Sequence, residues 1–310
     1  MSIYQGIINS DNNDIKTKFL KTLVTEKSSL NNDDDYKKRT RFLIRAVIGE
    51  YTCSLCFFTI VFGTLTNCYL NNYDQYQTSL IASLVTSFTA ISMIFSYSDI
   101  SGAIFNPAIS LALWLTGKLS NRKLILYVVF QLLGGFTALF IIFCSFDNSS
   151  SDLYKNLLRK PVGNDTGRIF ASEFFAMFIL TYTVFVIILE DAESQKKEVK
   201  TFKYADGITV YSTKGGKNAF APFVFGFALF GLINIGGCSG QAMNPVVVLV
   251  PALVTFRFEH VWIYLTAEFA GSCAAAAIVH LQHIKVDEKL ERSTILGDDI
   301  KDDLGSPLLT

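Results

Sequence analysis

Charge is what this sequence has little of. Only 17% of its 310 residues are Asp, Glu, Lys or Arg, while half are hydrophobic and 27 are Phe. A soluble domain of this size needs more polar cover than that, so a soluble globular fold is excluded. Lys plus Arg balance Asp plus Glu at 27 each, which leaves no cationic surplus for a nucleic-acid partner. Histidine is nearly absent: His260, His280 and His283 are the only three. The pair His280 and His283 has no carboxylate or cysteine beside it, so no metal site is assigned. The Cys53-x-x-Cys56 spacing lies inside an apolar run rather than on a soluble strand–helix turn, and reads as small residues packed in a helix. No resident cofactor is expected. No cleavable leader is visible either, because residues 1–41 are Asn-, Asp- and Lys-rich. They read as a disordered cytosolic tail.

The charge that is present clusters in the first 45 residues, around 190–218 and after 282. Between these lie six apolar segments, at about 42–66, 79–98, 124–146, 169–189, 219–237 and 260–282. Each is long enough to cross a hydrocarbon core ~30 Å thick at 1.5 Å per residue. Two shorter apolar stretches, 105–116 and 244–256, contain an Asn-Pro at or near their starts. They are too short to cross and read as re-entrant half-helices. The expected fold is therefore an all-α integral membrane protein with six spans and two half-helices. Basic residues crowd on the side of the N-terminus, from Lys37 to Arg45, at Lys118, Arg122 and Lys123, from Lys196 to Lys217, and from Lys285 to Arg292. The positive-inside rule then puts both termini in the cytosol. The sequons at Asn148 and Asn164 fall on the opposite side, as N-glycosylation requires.

The second half repeats the first. Arg45-Ala-Val-Ile-Gly-Glu50 opens span one and Ile169-Phe-Ala-Ser-Glu173 opens span four. Ser101-Gly102 precedes Asn106-Pro107-Ala108, and Ser239-Gly240 precedes Asn244-Pro245-Val246 at the same spacing. With three spans each, 42–146 and 169–282, the copies have opposite orientations, the inverted repeat of many transport proteins. Pro at the first helical position gives up a donor that would be unpaired anyway. The free N–H groups and dipole leave each half-helix start with roughly half a positive charge. If both starts meet at the membrane midplane, they repel cations there, and Asn106 and Asn244 add donors that orient passing water.

With these motifs the sequence resembles the aquaporin (major intrinsic protein) family over about residues 42–282. Ser101 to Ala108 matches the first signature loop except for Ile104, where histidine is usual, and Ser239 to Pro245 matches the second. The resemblance implies a passive channel rather than an enzyme, assembled as a tetramer with one pore per subunit. It further implies that Glu50 and Glu173 accept backbone N–H groups of the re-entrant loops. The family's outer constriction, counted back from the asparagines, maps to Thr86 (to within a residue or two), Leu232, Gln241 and Val247. Here Val247 stands where arginine is usual, and Arg257 lies about 15 Å further along a helix. A constriction without fixed charge weakens any expectation of strict water selectivity.

Glycerol, urea and ammonia are therefore alternative solutes. A largely closed structural or adhesion member of the same fold also remains open. The connection 190–218 is the second departure, far longer than the family's usual link. Thr201 to Ser212 alternates apolar residues around Asp206-Gly207, a hairpin pattern. It reads either as a charged insertion or as a cytosolic lid whose gating residues are Phe202, Tyr204, Tyr211, Ser212 and Thr213. In the cytosolic tail 283–310, Glu291 to Leu296 resembles an acidic dileucine sorting signal, which suggests a plasma-membrane and endosomal distribution.

Overall fold

A computed structural model of the chain describes residues 12–146, 157–158, 165–196, 201–203, 209–211, 220–236 and 239–282. Among the described residues, eight helices and one two-stranded ribbon follow in the order α1 (Asn12–Leu70), α2 (Gln75–Tyr97), α3 (Pro107–Leu115), α4 (Asn121–Ser145) and α5 (Thr166–Lys196). Then come β1 (Thr201–Lys203), β2 (Thr209–Tyr211), α6 (Ala221–Ile235), α7 (Pro245–Thr255) and α8 (Val261–Gln282). Among the described residues, five helices hold stretches long and apolar enough to cross a bilayer: Tyr36–Leu70, Gln75–Tyr97, Asn121–Ser145, Thr166–Ile188 and Val261–Gln282. The sixth, α6, has 15 residues and ends where Gly236 turns the backbone to φ 39°. It is shorter than the expected span 219–237.

The first helix departs from expectation at its other end. It begins at Asn12, where a disordered tail to residue 41 is expected from composition. Between Gly6 and Gly49 the sequence holds no glycine, and its first proline is Pro107, so nothing in that stretch breaks a helix once formed.

Large apolar side chains point outward around the bundle, among them Phe88, Phe140, Phe175 and Phe227. Polar ones are enclosed, including Glu50, Ser54, Gln131, Glu173, Thr181 and Glu268. That distribution suits a lipid surroundings, where polar groups must find partners inside the protein.

Helices α1 and α4 pack together in the first half as α5 and α8 do in the second, and α2 pairs with α6 across the middle. Both within-half crossings use a glycine. A Cβ on Gly134 would sit 2.9 Å from the Tyr51 carbonyl oxygen, and one on Gly271 would press on the carbonyl oxygen of Phe174. Tyr51 and Phe174 each follow the carboxylate that opens its span, Glu50 or Glu173. Small residues let backbones approach this closely where no hydrophobic effect drives helices together. The half-helices cross over: α3 packs against α4 and also on α8 of the other half, and α7 packs on α8 and also on α4.

Residues Thr201–Lys203 and Thr209–Tyr211 pair antiparallel, Phe202 opposite Val210. This is the strand pairing that the alternation predicts, while Asp206-Gly207 lies outside the described residues.

Candidate functional site

Each half-helix starts on its asparagine. Asn106 is extended (φ −145°), and its Oδ1 accepts the Ala108 N–H at 3.0 Å, with Pro107 at the first helical position. Asn244 repeats this, its Oδ1 accepting the Val246 N–H at 3.1 Å. Asn is a strong cap because its carbonyl reaches a backbone donor that the helix leaves unpaired.

The amide nitrogens then tie the halves together. Asn106 Nδ2 donates to the Met243 carbonyl at 2.8 Å, and Asn244 Nδ2 donates to the Phe105 carbonyl at 3.0 Å. Each carbonyl belongs to the residue before the opposite asparagine. An NH2 group carries two hydrogens, so each amide has a second donor after this crossed pair forms.

The loops that deliver the asparagines are wound tightly. Gly102, Ala103 and Phe105 have φ of 99°, 50° and 35°; Gly240, Gln241 and Met243 have 75°, 49° and 49°. Left-handed backbone at four non-glycine residues costs of order 1 kcal/mol each. Two buried carboxylates offset that cost. Glu50 accepts the Ile104 and Phe105 N–H groups at 2.9 and 2.8 Å, and Glu173 accepts those of Ala242 and Met243 at 2.9 and 3.0 Å. Tyrosines brace the loop starts: Tyr127 donates to the Ser101 carbonyl and Tyr264 to that of Ser239, both at 2.7 Å.

Four residues beyond each tyrosine sits a buried polar residue that sequence reasoning passed over. Gln131 donates to Glu50 at 2.8 Å and to the Ser110 hydroxyl at 3.1 Å. Glu268 accepts the backbone N–H of Asn244 at 2.9 Å. The matching Tyr-x-x-x-Gln and Tyr-x-x-x-Glu in spans three and six carry the signal that would have found them.

Above the asparagines lies a cavity of about 570 Å³ that extends to the end of the bundle where α1 turns into α2. Asn106, Asn244, Phe105 and Phe225 line its deep end, and Gln75, Tyr76 and Ser79 lie toward the α1–α2 turn. Phe57 and Leu180, each seven residues after its span's carboxylate, both line the cavity wall. No charged residue lines this cavity among the described residues.

Of the four expected constriction residues, Thr86, Gln241 and Val247 line the cavity and Leu232 does not. On α6 the cavity is lined by Phe225, Leu229 and Ile233, next to Leu232 in the chain. Counting back from Asn244 lands about 100° off these three, because the loop between α6 and α7 hides the helix phase. Gln241 is not loose: its Nε2 donates to the Ser172 hydroxyl at 2.7 Å. Arg257 lies beyond the end of α7 and is exposed, outside the cavity wall.

Several expected sites lie outside the described residues: Asn148, Asn164, Tyr204, Ser212, Thr213, and the tail with His283, Ile295 and Leu296. Phe202 and Tyr211 are placed as strand residues only. No group of three or more His, Cys, Asp or Glu side chains that could hold a metal occurs among the described residues.

An inverted helical repeat with two half-helices capped by crossed asparagines defines a membrane protein of the channel class. The family model described as major intrinsic protein matches residues 37–280. Aquaporin-B of Dictyostelium discoideum is 32% identical over 277 residues, covering 86% of this chain and 90% of that protein. An aquaporin of Encephalitozoon hellem is 29% identical, covering 74% of this chain and 90% of its own length. Among solved structures, the aquaglyceroporin from Plasmodium falciparum shares the fold with a TM-score of 0.59 at 20% identity, covering 76% of this chain and 94% of that one. The chain belongs to the major intrinsic protein family.

Proposed function

We propose that this protein passes water and small neutral solutes down their gradients, through a pore entered by the cavity above Asn106 and Asn244. The observation that carries this reading is the pairing of an uncharged, mostly apolar cavity with two asparagine amides at its deep end. Apolar walls hold passing molecules weakly, while the leftover amide hydrogens give each a place to hydrogen-bond. Thr86 and Gln241 are the polar contributions near Val247, and Gln241 is tied back to Ser172. That wall supports glycerol, urea or ammonia as cargo beside water, since nothing charged screens them. Both termini lie in the cytosol on this reading, with the hairpin loop as a lid over the inner mouth. The subunits form a homotetramer in the plasma membrane and endosomal vesicles, glycosylated at Asn148 and Asn164.

Osmotic swelling of reconstituted vesicles tests the proposal. Water flux above protein-free vesicles, with measurable glycerol, urea or ammonia entry, is the expected result. Flux equal to the lipid background for all four leaves the structural or adhesion reading in its place.

A further inference from the structure

A second concave surface lies away from the pore, on the outer flank of α1. It is an open groove of about 480 Å³, lined by Arg41, Ile44, Arg45 and Ile48 of α1 and by Tyr97 and Ile100 at the end of α2. The α1 positions recur every three to four residues and so form one stripe of the helix. Ile44 and Ile48 are each 54% exposed, and both arginines are exposed as well. Gly49 makes the floor. A Cβ there would lie 2.6 Å from Ile100 Cγ2, so its missing side chain lets Ile100 rest on the helix.

The stripe changes chemistry at a defined depth. Phe57 packs on Phe105, the residue before Asn106, with ring centroids 4.6 Å apart. The two half-helices of an inverted repeat meet at that level, which marks the middle of the membrane. Counted back along α1 from Phe57, Ile48 lies at about 14 Å, Arg45 at about 18 Å and Arg41 at about 24 Å. Half of a hydrocarbon core is ~15 Å, so Ile48 is among acyl chains and both arginines are level with the headgroups. A guanidinium presents a planar fork of donors that fits phosphate. Neither Arg41 nor Arg45 has an ion-pair or hydrogen-bond partner among the described residues. No carboxylate lines the groove among the described residues either; Asp99 neighbours Ile100 in the chain but is not in the lining.

We infer that this groove binds one anionic phospholipid of the leaflet that α1 enters first. Arg41 and Arg45 hold its phosphate, and an acyl chain lies along Ile48 and Ile100. A soluble phosphate would gain nothing from the isoleucines, and a zwitterionic lipid brings its own cation to the arginines. The seat adjoins the pore's frame, because Gly49 and Ile100 precede Glu50 and Ser101, which hold the first re-entrant loop. A lipid bound there requires the membrane fold alone, whatever the pore passes.

Native mass spectrometry of the full chain tests this by counting the lipids it retains. The protein is released from detergent micelles holding equal amounts of phosphatidylserine and phosphatidylcholine with the same chains. Wild type should retain phosphatidylserine over phosphatidylcholine by about thirtyfold, which corresponds to about 1 kcal/mol for each arginine. Arg41→Gln with Arg45→Gln should bring the two lipids to parity. Lys38→Gln with Arg39→Gln removes as much charge beside the groove without touching its lining. That pair should keep the ratio within about threefold of wild type. Glycerophosphoserine, the headgroup without chains, should not be retained. Equal retention of the two lipids by the wild type overturns the site. Equal loss in both double variants also overturns it, since attraction would then be diffuse. Glycerophosphoserine held as well as the lipid would make the site one for a free anion. An oligomer without phosphatidylserine, beside single chains that carry it, would put a second copy in the groove instead. If the first double variant does not fold, Arg45→Gln alone should lower the ratio about fivefold, and an unchanged ratio there overturns the site.

Discussion

The loop from Ser101 to Asn106 and the loop from Ser239 to Asn244 share a shape but few residues. Left-handed backbone occurs at the same three places in each, and the same pattern of carboxylate, tyrosine and crossed amide holds it. Between the shared Ser-Gly and the shared Asn-Pro stand Ala, Ile and Phe in one loop and Gln, Ala and Met in the other. Positions that bond or touch backbone are repeated, whereas side chains facing the cavity differ. The frame and the pore wall are thus set by different residues, and substitutions should separate them.

The largest effect should come from the frame's glycines. Gly134→Ala and Gly271→Ala each push a methyl onto backbone of the facing helix, which cannot swing aside as a side chain can. Each should cost about 3 kcal/mol or more and abolish a monodisperse peak in detergent size-exclusion chromatography. Gly63→Ala is the internal control. Its methyl would meet the flexible Ile142 Cδ1 at 3.3 Å, so it should stay within about 1 kcal/mol of wild type. If all three behave alike, backbone contact does not define the repeat's crossing.

The carboxylates come next, and here the halves should diverge. Glu50 accepts two backbone N–H groups and Gln131, while Glu173 accepts two backbone N–H groups. An amide in place of either turns one acceptor into a donor facing a donor. Each Glu→Gln change should therefore cost about 2–3 kcal/mol, with the Glu50 variant worse by about 1 kcal/mol. Thermal denaturation of the purified proteins measures the difference, and equal losses would mean that Gln131 adds nothing to the first loop.

Much of this frame was legible in the sequence, for a physical reason. Asn-Pro after Ser-Gly, and a carboxylate at the head of an apolar run, are residue types dictated by backbone geometry. They recur wherever that geometry does. Gln131 was not legible, because one buried amide in a span looks like any other until Tyr127 and Tyr264 are aligned. Which of Leu232 and Ile233 faces the cavity was not legible, because helix phase cannot be carried across a loop by counting. The shortness of α6 was hidden by Phe220 and by the glycines at its far end, which read as apolar in a hydropathy window. The helical stretch from Asn12 was missed because composition registers polarity and not the lack of glycine and proline between Gly6 and Gly49.

At the asparagines the comparison narrows to function. Aspartate in place of either loses the donor of the crossed pair and sets an anion against the opposite carbonyl. Asn244→Asp should lower water flux about tenfold per channel, a loss of roughly 1.4 kcal/mol in the barrier. Asn106→Asp should do less, because only Asn244 already has Glu268 on its own backbone N–H. Equal flux from both variants would show that the two halves contribute alike despite that carboxylate. Smaller again is Val247→Arg, which adds a long cation to a wall with no charge. It should reduce glycerol and urea entry by a few-fold more than water entry, and an unaltered solute ratio would place residue 247 away from the solute path.

The smallest and most conditional effect concerns the one connection that the repeat does not preserve. Between α1 and α2 only residues 71–74 intervene, closed by a capping box of Asp74 and Gln77. The equivalent link between α5 and α6, on the opposite face of an inverted repeat, is expanded to hold the β1–β2 ribbon. Two short strands are marginal by themselves, so a lid built on them should have open and shut states close in free energy. Lysines at 196, 197, 200, 203, 214 and 217 surround the ribbon in sequence. A phosphate on Ser212 or Thr213, with nearly two negative charges, would shift that balance. Replacing about residues 195–214 by a short Gly/Ser linker should then raise water flux per channel by a few-fold, with protein in the membrane measured on the same vesicles. A shut state favoured by about 1 kcal/mol leaves roughly one channel in six open, so removing the lid can gain no more than about sixfold. Equal flux from the full and shortened proteins would reduce the loop to a passive insertion and confine the functional difference between the halves to the pore wall.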